Sequence, residues 1–177
     1  FPKERRHGLP SFRDVCEAVD EHWRNHRDDA TAQAERLTEA VARSGGLEAE
    51  GVPGPGALDA AYAALRSQHD EEWGGFGRAP KFPQTMSHEL LLRAHARNEE
   101  PTLLEAVVTS LDAMASGGVY DHLGGGFARY SVDAFWMVPH FEKMLYDQAL
   151  LARLYLHTWQ VTGESRFRQV LVEIVTY

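Results

Sequence analysis

Apolar side chains recur at three- and four-residue intervals over most of the chain, and this period predicts a succession of amphipathic helices. Ser11 can accept from the amides of a first helical turn, and Asp14 three residues later favours its positive end. Phe12, Val15, Cys16, Val19 and Trp23 then share one face, where Cys16 acts as a small hydrophobe. A more polar helix is expected over about 28–43. Residues 44–56 are crowded with glycine and proline, which disfavour helix and strand alike, and they read as a linker between a segment 1–43 and a domain 57–177.

Beyond the linker, Leu58, Ala61, Tyr62 and Leu65 mark a helix expected to reach Trp73-Gly74-Gly75. Residues 75–83 form a proline loop. Met86 to Asn98 carries Leu91 and Leu92, and Thr102 with Glu105 suits a capping box that opens a helix running to Gly117-Gly118. The two make a helical hairpin. After a loop over 118–138, Pro139 suits the first position of a helix striped by Phe141, Met144, Leu145, Ala149, Ala152, Leu156 and Trp159. Leu150, Leu151 and Leu154 make its other faces apolar as well, so neighbours should enclose it. Gly163 ends it, and Phe167, Val170, Leu171, Ile174 and Val175 begin another. No strand-period segment of useful length occurs, and the fold class is all-α.

Composition narrows the partners. Twenty-six acidic against 18 basic side chains give a net charge of −8, and the basic residues are interspersed with acids, which argues against nucleic acid. No run of about 18 apolar residues predicts a membrane span, and no export signal opens the chain, so the cytoplasm is the expected compartment. Cys16 alone permits neither an internal disulfide nor a cysteine-rich zinc site. The start without methionine and the finish inside an apolar pattern read as a piece of a longer protein.

Candidate chemistry concentrates in residues 117–147. The triplet Gly124-Gly125-Gly126 stands among Asp121, His122, Arg129 and aromatic side chains, a mixture suited to a small-molecule pocket. It matches no phosphate-loop or dinucleotide pattern. Asp121 beside His122 offers an acid/base pair, although Asp121 could equally cap the loop. On a helix started by Pro139, His140, Lys143 and Asp147 would share a face, with Lys143 and Asp147 also suited to an ion pair and Glu142 to the helix dipole. Lys81 could reach an anion or cap a helix. His22 and His26 have a metal-compatible spacing but no third ligand, so no metal site is expected; His88 and His95 read as packed histidines.

Three segments carry a resemblance: Gly75-Phe76-Gly77-Arg78-Ala79-Pro80-Lys81-Phe82-Pro83, then residues 120–133 from Tyr120 to Asp133, then Trp136 with residues 138–147. In order and spacing they resemble the YyaL-type family, which includes spermatogenesis-associated thioredoxin-like proteins. That resemblance implies a thioredoxin-like domain followed by an (α/α)6 toroid related to six-hairpin glycosidases and N-acylglucosamine 2-epimerases. Residues 1–43 would be the tail of the former and 57–177 the first part of the latter, a partial toroid. The family's cysteine motif is absent here, and Gln148 stands where asparagine is usual.

The expected function is carbohydrate-active: epimerase or isomerase chemistry through histidine, or glycosidase chemistry through paired carboxylates. The expected catalytic residues are Asp121, His122, His140 and Asp147. Lys81, Gly124, Gly125, Gly126, Arg129, Tyr130, Trp136, Glu142 and Lys143 would bind the sugar-like ligand, with no cofactor. The alternative is a binding or redox-regulatory module that holds a ligand without turning it over.

Overall fold

The computed structural model describes residues 2–45 and 54–177. The chain divides into two compact units, Phe1–Val52 and Pro53–Tyr177. Most of the expected linker, residues 46–53, lies outside the described residues; its flanks are helical, since residue 45 closes one helix and residues 55–56 open the next. Among the described residues there are seven helices, α1 (Phe12–Asn25), α2 (Arg27–Gly45), α3 (Pro55–Gln68), α4 (Thr85–Asn98), α5 (Pro101–Ser116), α6 (Leu145–Thr162) and α7 (Ser165–Thr176), with isolated β-bridges and no strand. The all-α class expected from the periodicity is the one observed. No described helix is long and apolar enough to cross a membrane.

In the first unit, Ser11 and Asp14 form the expected capping box, and Arg5 ties the same carboxylate at 2.9 Å. The apolar face of α1 does form, but Phe12, Val19 and Trp23 remain exposed and Cys16 is exposed with them. Two helices packed on each other offer too little surface to cover both stripes.

The second unit is built from the hairpins α4–α5 and α6–α7. Leu91, Leu103, Val107, Leu111, Met114, Leu151, Leu154 and Tyr155 form its dry centre. The expectation that α6 is enclosed therefore holds for Leu151 and Leu154, both fully buried.

Three helix boundaries differ from the periodic reading, and in each case a local polar group decides. α3 stops at Gln68, not at Trp73, because the Asp70 carboxylate accepts from the amides of Glu72 and Trp73 and turns the chain. α5 opens on Pro101 with Glu100 as N-cap, so the Thr102–Glu105 box does not form; the Thr102 hydroxyl donates to Glu100 Oε1 at 2.9 Å.

The largest difference is at Pro139. Residues 139–142 are not helical but pair with residues 129–132: His140 N donates to Tyr130 O at 2.9 Å, and Arg129 N to Glu142 O at 2.8 Å. The turn between them is gathered by Asp133, whose carboxylate accepts from the amides of Phe135, Met137 and Val138. Those bonds keep residues 139–142 out of a helix, and α6 begins only at Leu145.

His88 is fully buried on α4. Its Nδ1 lies 3.1 Å from Gln84 O, its ring packs on Phe76, and its Nε2 has no hydrogen-bond partner. Burial pushes its pKa from 6.5 down to about 4, and burial also lowers neighbouring His69. A histidine with a depressed folded pKa binds its proton more readily when unfolded, so stability is lost as pH falls from 6.5 through about 4. The expected loss is on the order of 3 kcal/mol. It should appear as a falling melting midpoint over that interval, and His88→Leu should flatten the slope; an unchanged slope would contradict the account.

Candidate functional site

The loop from Gly117 to Met144 is a framework of backbone and buried polar contacts before it is a site. Lys81 is fully buried, and its ammonium donates to Asp70 Oδ2 at 2.6 Å and to Ala134 O at 3.0 Å. Burial alone would raise the Asp70 carboxyl, but the Lys81 bond and two backbone amides outweigh it and leave that carboxyl lowered. Backbone bonds of 2.8 Å in both directions join Lys81 to Ser131. Trp136 is also fully buried, in a left-handed conformation with φ of 64°, and its indole donates to Trp73 O at 2.8 Å. Both residues were expected to touch ligand; both are enclosed by protein and hold the proline loop against the 131–136 turn.

The glycine triplet is likewise shaped by packing. Asp121 N donates to Gly126 O at 2.9 Å and Gly125 N to Asp121 O at 2.8 Å, closing a tight turn over 121–126. Gly125 has φ of 78°, and a Cβ there would run into the carbonyl oxygen of Glu173 on α7. A Cβ on Gly126 would sit 2.9 Å from Gln148 Oε1. The reason for that closeness is a two-point clamp: the buried Gln148 amide accepts from Phe127 N at 2.8 Å and donates to Phe127 O at 2.7 Å. On the same side, the Tyr120 hydroxyl donates to Glu173.

An open groove of about 670 Å³ borders this turn, with Tyr120, Asp121, His122, Phe141, Lys143 and Tyr177 in its walls. Asp121 Oδ1 accepts from the amides of Leu123 and Gly124, while Oδ2 takes the Lys143 ammonium at 2.8 Å. The Lys143 bond, then the two amides, hold the Asp121 carboxyl well below the usual carboxylate range. Lys143 also donates to Gly125 O at 2.7 Å and lies 3.8 Å from the centre of the Tyr177 ring. The His122 Nε2 is 2.9 Å from Gly117 O. A carbonyl only accepts, so Nε2 is the donor in this contact.

The remaining candidates collect elsewhere. The backbone turns tightly at Phe141, where Glu142 N donates to His140 O at 2.6 Å; Phe141 and Lys143 line the groove while His140 and Glu142 meet other partners. Arg129 pairs with Glu142 at 3.2 Å, Glu142 is 3.7 Å from the His140 Nε2, and the His140 ring lies flat on Tyr130 with centroids 4.6 Å apart. Asp147 stands in the first turn of α6; its Oδ2 is buried without a partner. Burial raises its carboxyl, Arg129 opposes and Glu142 reinforces the rise. Asp121 and His122 thus share one surface, and His140 and Asp147 belong to a second cluster around Arg129. The helix face that would have joined His140, Lys143 and Asp147 does not exist, because the helix begins after Lys143.

Sequence reasoning did not single out Tyr120 and Phe141 within the flagged stretch and passed over Tyr177 and Glu173, which no local signal marks, since the C-terminal helix meets the glycine turn only through the fold. Asp133 had a signal: an aspartate ahead of several free amides is a turn former. Among the described residues no group of three or more His, Cys, Asp or Glu side chains could hold a metal ion.

Fold and site together define an all-α domain of packed helical hairpins whose central loop, braced by a buried lysine and a glutamine clamp, walls a mixed polar and aromatic groove. No family model matches the chain. It is 35% identical over 185 residues to human spermatogenesis-associated protein 20, and 34% identical to the rat and mouse proteins of that name over 185 and 190 residues. These matches take in all of this chain and 24%, 23% and 23% of the three relatives. The chain is a homologue of the spermatogenesis-associated protein 20 family across the quarter of those proteins that it spans.

The packing account of the glycines is open to a paired test. Gly163 has φ of 71° with nothing within 4 Å of its would-be Cβ, so Gly163→Ala should cost only the left-handed strain, about 1–2 kcal/mol. Gly125→Ala adds a collision with the Glu173 backbone and should cost clearly more in urea denaturation. Equal losses would show that the turn is not pressed against α7.

Proposed function

We propose that the longer protein is carbohydrate-active in the cytoplasm, that α3 to α7 are the first hairpins of an (α/α)6 toroid, and that the first unit closes a thioredoxin-like domain. The groove is where the sugar sits. Phe141 offers an aromatic face for the C–H side of a pyranose, and the Asp121 carboxylate and the His122 ring meet its hydroxyls.

One observation carries the choice of chemistry: His122 stands in the groove wall, oriented by the hydrogen bond that its Nε2–H donates to Gly117 O. Imidazole is suited to taking up and returning a proton near neutrality. In the epimerase or isomerase reading, Nδ1 removes the proton from the carbon next to the sugar's carbonyl and returns it to that or a neighbouring carbon. Such a reaction consumes no co-reactant and needs no redox partner. The carboxylate-pair alternative is less well served, because Asp121 is held ionised by Lys143 and Asp147 lies in the other cluster. Asp121 and Lys143 therefore act by shape and charge, setting the turn that carries His122.

In the full-length protein incubated with an aldose panel in deuterated water, deuterium should enter next to the carbonyl carbon. His122→Gln should slow that entry by about a hundredfold or more, with little change in melting midpoint. Deuterium entry unaffected by the substitution would remove His122 from the reaction. A sugar bound and recovered unlabelled would instead support a ligand-holding module.

A further inference from the structure

The charges in the groove wall decide what kind of sugar it can accept. Among the described residues, Lys143 is the sole Lys or Arg side chain lining it. A lysine ammonium has three donors, and all three directions are occupied: Asp121 Oδ2 at 2.8 Å, Gly125 O at 2.7 Å, and the face of Tyr177 at 3.8 Å. The Asp121 carboxylate cancels its charge at contact distance. Arg129 is taken up outside the groove by Glu142. Among the described residues, an incoming phosphate or carboxylate would meet no unpaired Lys or Arg in the groove wall and would approach a fixed anion, Asp121. A phosphate bound by a protein is normally met by Arg or Lys, or by several backbone N–H groups. Here the amides of Leu123 and Gly124 already serve the Asp121 side chain.

We infer that the groove takes an uncharged ligand, a neutral sugar or polyol, and rejects phosphorylated sugars and sugar acids. The kind of ligand rests on the carbohydrate reading above; the sign of its charge rests on the Asp121–Lys143 pair alone. That pair works as a filter. It leaves hydroxyl acceptors and donors in place while presenting no net positive charge.

Calorimetric titration of the full-length protein with inorganic phosphate, glucose 6-phosphate and glucose tests this, with Asp121→Asn alongside. The wild-type protein should show no saturable binding of either phosphate at millimolar concentration. Asp121→Asn frees the Lys143 ammonium and should gain saturable phosphate binding, about tenfold or more tighter than wild type, which Lys143→Met in the same background removes. Saturable wild-type phosphate binding that Lys143→Met abolishes would overturn the inference, as would an Asp121→Asn protein that folds yet gains none. The wild-type comparison needs no variant if Asp121→Asn fails to fold. Absence of binding by every neutral sugar would sink the carbohydrate reading alone, and the phosphate arms would still decide the charge.

Discussion

A lysine with no solvent exposure must be paired, and the pairing of Lys81 is the constraint on which the loop region depends. Its ammonium joins Asp70, at the end of α3, to the carbonyl of Ala134, more than fifty residues later in the chain. Its stem packs by Gly75, and its charge lies 5.5 Å from the centre of the Trp136 ring. Removing either partner of a buried pair leaves an uncompensated charge, a loss that typically reaches about 3–5 kcal/mol. Around this strut the proline loop and the 131–136 turn are held in register, and Ser131 can bridge both Lys81 and Pro139. That double bridge ties residues 139–142 to residues 129–132 in place of a helix, and this pairing decides which partners each candidate side chain meets.

The site follows from that backbone state. In a helix, His140, Lys143 and Asp147 would have met on one face; in the non-helical segment before α6 they separate. Lys143 turns to Asp121 and Tyr177, while Glu142 and His140 turn to Arg129 and Tyr130. The two polar clusters therefore differ in character. The groove pair is ionised, and both Asp121 oxygens are hydrogen-bonded. The Arg129 cluster contains a carboxyl raised by burial and an oxygen without a partner. Catalytic residue types gathered in one stretch of sequence need not gather in one place.

The glycine turn shows how function-like composition can arise from packing. Three successive glycines beside Asp and His suggest a ligand loop, and part of that suggestion survives in the groove wall. Yet Gly125 is required by Glu173 and Gly126 by Gln148, both on helices that follow the loop. Gln148 replaces the hydrogen bonds that a sheet neighbour would have supplied to Phe127, so the loop can lie against α6 without leaving a buried amide unpaired.

The sequence by itself determined the helices: period, caps at Ser11 and Gly163, and hairpin partners all follow from local spacing, because a helix satisfies its own backbone and needs only one buried stripe. It also marked the stretch in which polar candidates would lie. Tertiary structure alone decided that Lys81 and Trp136 are internal and that Tyr177 and Glu173 reach the glycine turn. Each of these depends on contacts between residues tens of positions apart. A proline or lysine carries the same local preferences whether it faces solvent or a buried carboxylate, and the choice is made by the partner that the fold brings to it.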